Sequence, residues 1–92
     1  MQFLLKPVFI LHSESACEVL KDHSYTDVVE SESVQPNPRT VIECAKKCSK
    51  RREKKPNVNG MTWDVNTKEC HCMIGMKGKK QLTGYDICFF GM

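Results

Sequence analysis

A chain of 92 residues with a formal net charge of +3 makes one small domain, whose apolar core is too small to outweigh its conformational entropy by a comfortable margin. No stretch approaches the ~20 apolar residues of a membrane-spanning helix, and no Gly-rich phosphate loop, His-Glu zincin pattern or calcium loop occurs. Six cysteines, an even number at high density, point to the remedy that small secreted domains use, covalent staples in an oxidising compartment.

Residues 1–16, MQFLLKPVFILHSESA, read as a secretory signal: an apolar run followed by small polar residues, with cleavage after Ser15, which Ser13 and Ser15 suit, or after Ala16, which Glu14 at minus three suits less well. The mature domain is then 17–92. An N-terminal strand is the other reading, because Lys6-Pro7 interrupts the apolar run and no basic residue precedes it. Next, EVLKDHSYTDVV is expected to be extended or irregular, with Val28-Val29 as its strand fragment, and SESVQPNPR a loop marked by Pro36 and Pro38. Ser13 to Val34 is acidic, with Glu14, Glu18, Asp22, Asp27, Glu30 and Glu32 set against Lys21.

Thr40-Val41-Ile42-Glu43 is a capping box, in which the threonine hydroxyl accepts from the Glu43 N–H and the glutamate reaches back to the N–H of Thr40. A helix from about Val41 should end before Pro56. At 100° per residue it places Val41, Cys44, Ala45 and Cys48 on one face and Lys46, Lys47, Lys50 and Lys54 on the other. The basic residues near its C-terminal end complement the helix dipole. Alternation in Gly60–Val65 and Glu69–Ile74, separated by Asn66-Thr67-Lys68, predicts a hairpin with Cys70, Cys72 and Ile74 on one face and His71 on the other. Trp63 is expected to pack in the core, and Met61, Met73, Met76 and Met92 to fill gaps or occupy turns. GMKGKK then reads as a turn before a last strand in LTGYDICFFGM, which carries Cys88.

Two cysteines on a helix face can meet two on a strand face, so bridges are expected from Cys44 and Cys48 to Cys70 and Cys72, with Cys17 and Cys88 tying the chain's beginning to its end. The facing of the side chains leaves open which of Cys44 and Cys48 pairs with which of Cys70 and Cys72. The fold class is thus α+β: a small antiparallel sheet with one packed helix, stapled by three disulfides. The alternative is a structural zinc site, but C-x3-C with C-x-C departs from the usual C-x2-C pairs and leaves Cys17 and Cys88 unused. No metal or cofactor is expected, nor catalysis: His12 lies within the signal, His23 and His71 read as surface residues, and no nucleophile stands in a local motif.

ECAKKCSKR followed by NGMTWDVNTKECHC, bracketed by Cys17 and Cys88, resembles the PAN/apple domain family over about Cys17 to Phe90. The resemblance implies a small antiparallel sheet with one helix on it and a non-catalytic extracellular module that binds protein or carbohydrate. It also implies that Cys70 pairs with Cys44, leaving Cys48 for Cys72, and that Cys17 pairs with Cys88. The chain departs from the family at Asn59-Gly60, where many members carry a cysteine, and in having Cys72.

Lys46, Lys47, Lys50, Arg51, Arg52, Lys54 and Lys55 stand against the single Glu53, and with Lys77, Lys79 and Lys80 they are candidates for a patch that binds sulfated glycosaminoglycan or an acidic protein. Arginine brings bidentate geometry for sulfate or carboxylate, and lysine a point charge. The competing reading is a solvated helix face that keeps the domain soluble, with Glu43 and Lys47 as an i,i+4 pair. KRREKK also matches a nuclear or nucleic-acid arm, which the interleaved disulfide-spaced cysteines argue against. The expectation is therefore a secreted adhesion or recognition module with a protein or glycan ligand and no nucleic-acid partner. Other readings are a cationic disulfide-rich effector, toxin-like or antimicrobial, or a small zinc-binding domain.

Overall fold

The computed structural model describes residues 17–91. The expected signal segment, with His12, and Met92 lie outside the described residues. Five strands and one helix follow in the order β1 (Val19–Thr26), β2 (Glu30–Ser33), α1 (Val41–Arg51), β3 (Val58–Asp64), β4 (Cys70–Ile74) and β5 (Gly78–Phe89). The strands form one antiparallel sheet in the order β1-β5-β3-β4-β2. This is the expected α+β class, a sheet with one helix and three disulfides.

The start of α1 follows its sequence signal. Thr40 is extended, and its hydroxyl accepts from the Glu43 N–H at 3.1 Å. The Glu43 carboxylate goes one residue further back than expected and accepts from the N–H of Arg39 at 2.6 Å. Directed toward the start of the helix, it forms no ion pair with Lys47, which lies one turn the other way. Cys44, Ala45 and Cys48 are buried, whereas Lys46, Lys47 and Lys50 are exposed, as the helical period requires.

The β3–β4 hairpin is closed by Asp64, whose Oδ1 accepts from the N–H groups of Asn66 at 2.9 Å and Thr67 at 3.1 Å. Lys68 takes the left-handed conformation, with φ 63°. The register sets Met61 opposite Cys72 and Trp63 opposite Cys70, so the strand cysteines and the buried Trp63 share the face that α1 covers. Bridges join Cys44 to Cys70 and Cys48 to Cys72, with Cα–Cα separations of 5.7 and 5.3 Å. Cys17 and Cys88 form the third bridge, at 5.7 Å. The alternative nested pairing is not formed. Five of the ten residues in the core cluster are cysteines, so disulfide sulfur supplies much of the interior.

Outside the helix and hairpin the sequence reading needs three corrections. Val19–Thr26 is extended, as expected, and forms β1 with a bulge at Asp22, but Val28-Val29 lies between β1 and β2 rather than in a strand. Ser31 to Ser33, expected in a loop, pair with Met73 to His71. Gly78 to Lys80, expected in a turn, pair with Thr26 to Ser24. Ser31–Ser33 and Gly78–Lys80 are polar on both faces, so alternation could not mark them, and their pairing is decided by partners distant in sequence.

The same pairing coils the sheet. β1 and β2 are its two edges, which in a flat sheet would lie roughly 19 Å apart, yet the link Asp27–Val29 spans at most ~14 Å. The bend is made where the β1–β5 register shifts between Lys21 and His23. There Asp22 takes φ 58° and Gly84 φ 94°, and the Asp22 carboxylate accepts from the Gly84 N–H at 3.2 Å. Beyond this bulge the β1–β5 ribbon arches over the sheet face opposite α1, and the Tyr25 hydroxyl donates to the Cys88 carbonyl at 2.7 Å. The arch comes down on Gly60, where a Cβ would lie 2.8 Å from the Tyr25 hydroxyl and 2.9 Å from the Cys88 carbonyl oxygen.

Two outcomes test this architecture. Removing one helix-to-strand bridge with Cys44→Ala/Cys70→Ala should lower unfolding free energy by about 2–4 kcal/mol in urea titration; an unchanged midpoint would show that the bridge does not hold the fold. Gly60→Ala should cost about 1–3 kcal/mol through overpacking beneath the arch, whereas a neutral effect would mean that Tyr25 does not seat there.

Candidate functional site

The seven basic residues of the helix region fall into two sets. Lys46, Lys47 and Lys50 project from the outer face of α1, and Lys54 follows in the turn after it; all four are exposed. Among the described residues none of the four makes an ion pair. Arg51, Arg52 and Lys55, by contrast, are tied to the fold. The Arg51 guanidinium meets Glu32 of β2 at 3.1 Å, and the Lys55 ammonium pairs with the other oxygen of the same carboxylate. Arg52 lies 5.6 Å from the centroid of the Phe90 ring and donates to the Phe90 carbonyl at 3.5 Å. One end of the basic stretch thus fastens the helix end to an edge strand and to the C-terminal segment, leaving four lysines to face outward.

The electrostatics of the Glu32 tie follow from its contacts. The Lys55 hydrogen bond, reinforced by Arg51, holds the Glu32 carboxyl below its ordinary value, and Glu32 in turn raises the Lys55 ammonium. Asp64 is also lowered, first by the Thr67 backbone N–H and then by that of Asn66. Burial under the arch raises the Tyr25 phenol.

Lys77, Lys79 and Lys80 do not join the helix face. Lys80 lines a cleft together with Thr62, on the side of the sheet away from α1, and Lys77 and Lys79 line a second cleft with Leu20, Ile87 and Phe89 on that same side. The register explains the separation: Met61 and Cys88 face the helix, so Thr62 and Ile87, opposite each other in the next pair, face away from it.

His71 lies 3.6 Å from the Glu69 carboxylate, and His23 Nδ1 lies 2.8 Å from the Lys21 carbonyl; among the described residues neither hydrogen-bonds a serine, threonine or cysteine. The sulfurs of Cys44, Cys48 and Cys70 lie within 4.8 Å of one another. All are consumed in disulfides, so the thiolates that zinc requires are not present. No described helix is long and apolar enough to cross a membrane.

Sequence reasoning missed the cleft over Thr62. Its walls come from β1, β2, β4 and β5, and only the coiling of the sheet brings the two edge strands together. The usable signal was the three-residue link between those edges. No protein-family model matches the chain, and no curated protein is similar to it at a significant level.

The Glu32 tie has a defined pH dependence. Because the folded carboxyl is lowered, its stabilisation is complete above the ordinary carboxyl range and is lost as pH falls through the folded value; the raised Lys55 behaves oppositely, its share being lost only as pH rises beyond the ordinary ammonium range. Glu32→Gln should therefore melt at a lower temperature than the native protein at neutral pH, and the difference should shrink on acidification to below pH ~4. Thermal melts of both proteins across this range check it; a constant difference would contradict the tie.

Proposed function

We propose that the chain is a secreted, non-catalytic recognition module of PAN/apple type, whose outward lysines bind a sulfated glycosaminoglycan or an acidic protein surface. The carrying observation is the set Lys46, Lys47, Lys50 and Lys54, exposed and without acidic partners among the described residues. Three disulfides in so small a fold are consistent with an extracellular or secreted protein.

The physical support is the combination of charge and rigidity. Lysines on a free helix lose affinity when their backbone must be ordered on binding, whereas a helix held by two disulfides presents them already arranged. The single Glu32 carboxylate offsets one of the two charges of Arg51 and Lys55 and holds both side chains against the fold, so the outward lysines of the helix face carry most of the attraction. The contacts are exposed point charges, and the binding is expected to weaken steeply with salt. A sulfated polysaccharide suits such a ridge because its charge repeats along an extended chain, engaging several lysines at once.

The test is heparin chromatography of the oxidised protein. Reversing all four residues, Lys46→Glu, Lys47→Glu, Lys50→Glu and Lys54→Glu, should abolish retention at physiological salt while circular dichroism stays unchanged. Reversal of the pinned Arg51 alone should weaken retention far less than reversal of Lys47 alone. Retention that survives the fourfold change would rule out the helix face as the binding site.

A further inference from the structure

The larger of the two clefts beside the β1–β5 ribbon measures about 690 Å³, within the ~300–1,000 Å³ found for small-molecule sites. Its floor follows from the register. Leu20 stands opposite Ile87, and Phe89, two residues beyond Ile87, leaves the strand on the same side. Three apolar side chains therefore meet on the face that α1 leaves bare, and all three line the cleft. Ile87 is buried, but Leu20 and Phe89 are 37% and 54% exposed. Apolar side chains gathered in a recess, rather than scattered singly over a surface, mark a place that gains by being covered.

The wall is the underside of the arch. Tyr25 and Lys79 are partners in the β1–β5 register and so leave the same face of the ribbon, with Met76 and Lys77 beside them in the lining. The Tyr25 hydroxyl is committed to the Cys88 carbonyl at 2.7 Å, which leaves the ring, and not its polar end, to the cleft. Charge stands at the exposed residues of the lining: the ammonium groups of Lys77 and Lys79 and the carboxylate of Glu18. Among the described residues none of the three makes an ion pair. Two cations against one carboxylate leave the cleft net positive beside a lining of aliphatic, aromatic and thioether groups.

An occupant complementary to this lining combines an apolar body with an anionic end. A sulfated glycan brings the charge without the apolar body. A bilayer presents a broad surface, which suits a protruding apolar patch better than a recess. A free amphiphile meets both requirements, and a flexible methylene chain can follow the uneven floor of leucine, isoleucine and phenylalanine.

We propose that this cleft binds a free fatty carboxylate, its chain lying over Leu20, Ile87 and Phe89 against the Tyr25 ring and its head group paired with Lys77 and Lys79. The site uses none of Lys46, Lys47, Lys50 and Lys54. It is independent of the helix face, and either site can fail without the other.

The test is an amide NMR titration of the oxidised protein with sodium decanoate to ~2 mM, a range that detects sub-millimolar affinity. Saturable shifts are expected at Leu20, Tyr25, Lys79, Ile87 and Phe89, with the signals of Lys46 to Lys50 unmoved. Hexanoate, with the same charge and a shorter chain, should bind severalfold more weakly than decanoate, and so should decyltrimethylammonium, with the same chain and the opposite charge. Lys77→Gln/Lys79→Gln should weaken decanoate binding severalfold, the scale expected of exposed ion pairs, and Phe89→Ser should weaken it by at least as much. All three substituted residues are exposed, so both variants should keep native-like spectra. The proposal is overturned if decanoate moves no cleft signal, if hexanoate or decyltrimethylammonium binds as well as decanoate, or if the double lysine variant binds decanoate as the native protein does. Sedimentation of the protein with phosphatidylglycerol vesicles, with the cleft signals unmoved by decanoate, would overturn it in favour of a membrane surface.

Discussion

Two parallel disulfides between α1 and β4 are the constraint on which the other features depend. Cysteines four apart on a helix rise about 6 Å along its axis, and cysteines two apart on a strand rise about 6.6 Å, so Cys44–Cys70 and Cys48–Cys72 form nearly even rungs between elements lying side by side. The direction of the chain decides which rung is which. The six residues 52–57 between α1 and β3 turn the chain back, setting the helix antiparallel to β3; β3 is antiparallel to β4, so the helix runs parallel to β4. Cys44 therefore meets Cys70 and Cys48 meets Cys72, and the nested pairing would need a helix running the other way.

Clamping the helix to one face leaves the opposite face to be covered by other means, and among the described residues there is no second helix to do so. The β1–β5 ribbon does the covering. Asp22 and Gly84 place the bend, Gly60 gives way beneath Tyr25, and the Cys17–Cys88 bridge anchors the ribbon's other end. A core cluster in which half of the residues are cysteines tolerates this economy because covalent closure replaces much of the apolar burial that a larger domain would use. The coiled sheet then presents two chemically different surfaces: a helix face with four outward lysines, and an open, mixed-polarity cleft under the arch.

The helix and the central hairpin were legible in the sequence because their signals are local. The capping threonine, the 3.6-residue spacing of Cys44, Ala45 and Cys48, and the alternation through Trp63 and Cys72 each declare one element from its own residues. β1 was legible only as extended or irregular chain, and β2 and the first residues of β5 not at all, since Ser24, Ser31 and Lys80 pair only with residues dozens of positions away. The candidate site divides in the same way. Lys46, Lys47 and Lys50 could be assigned to an outer face from helical period alone, but the pinning of Arg51 and Lys55 depends on Glu32, which arrives from a strand whose own residues carry no strand signal. The cleft was invisible for the same reason, although the short link between β1 and β2 already demanded a coiled sheet once those strands were known to be its edges.

The most direct test of the clamp is the connectivity of the four central cysteines in the oxidised protein. Trypsin can separate Cys44 from Cys48 after Lys46 or Lys47, and gas-phase fragmentation across His71 can separate Cys70 from Cys72. Fragments linking Cys44 to Cys70 and Cys48 to Cys72, with Cys17 linked to Cys88, are the predicted result. A link from Cys44 to Cys72, or free thiols at these positions, would contradict the parallel helix and with it the arrangement of both faces.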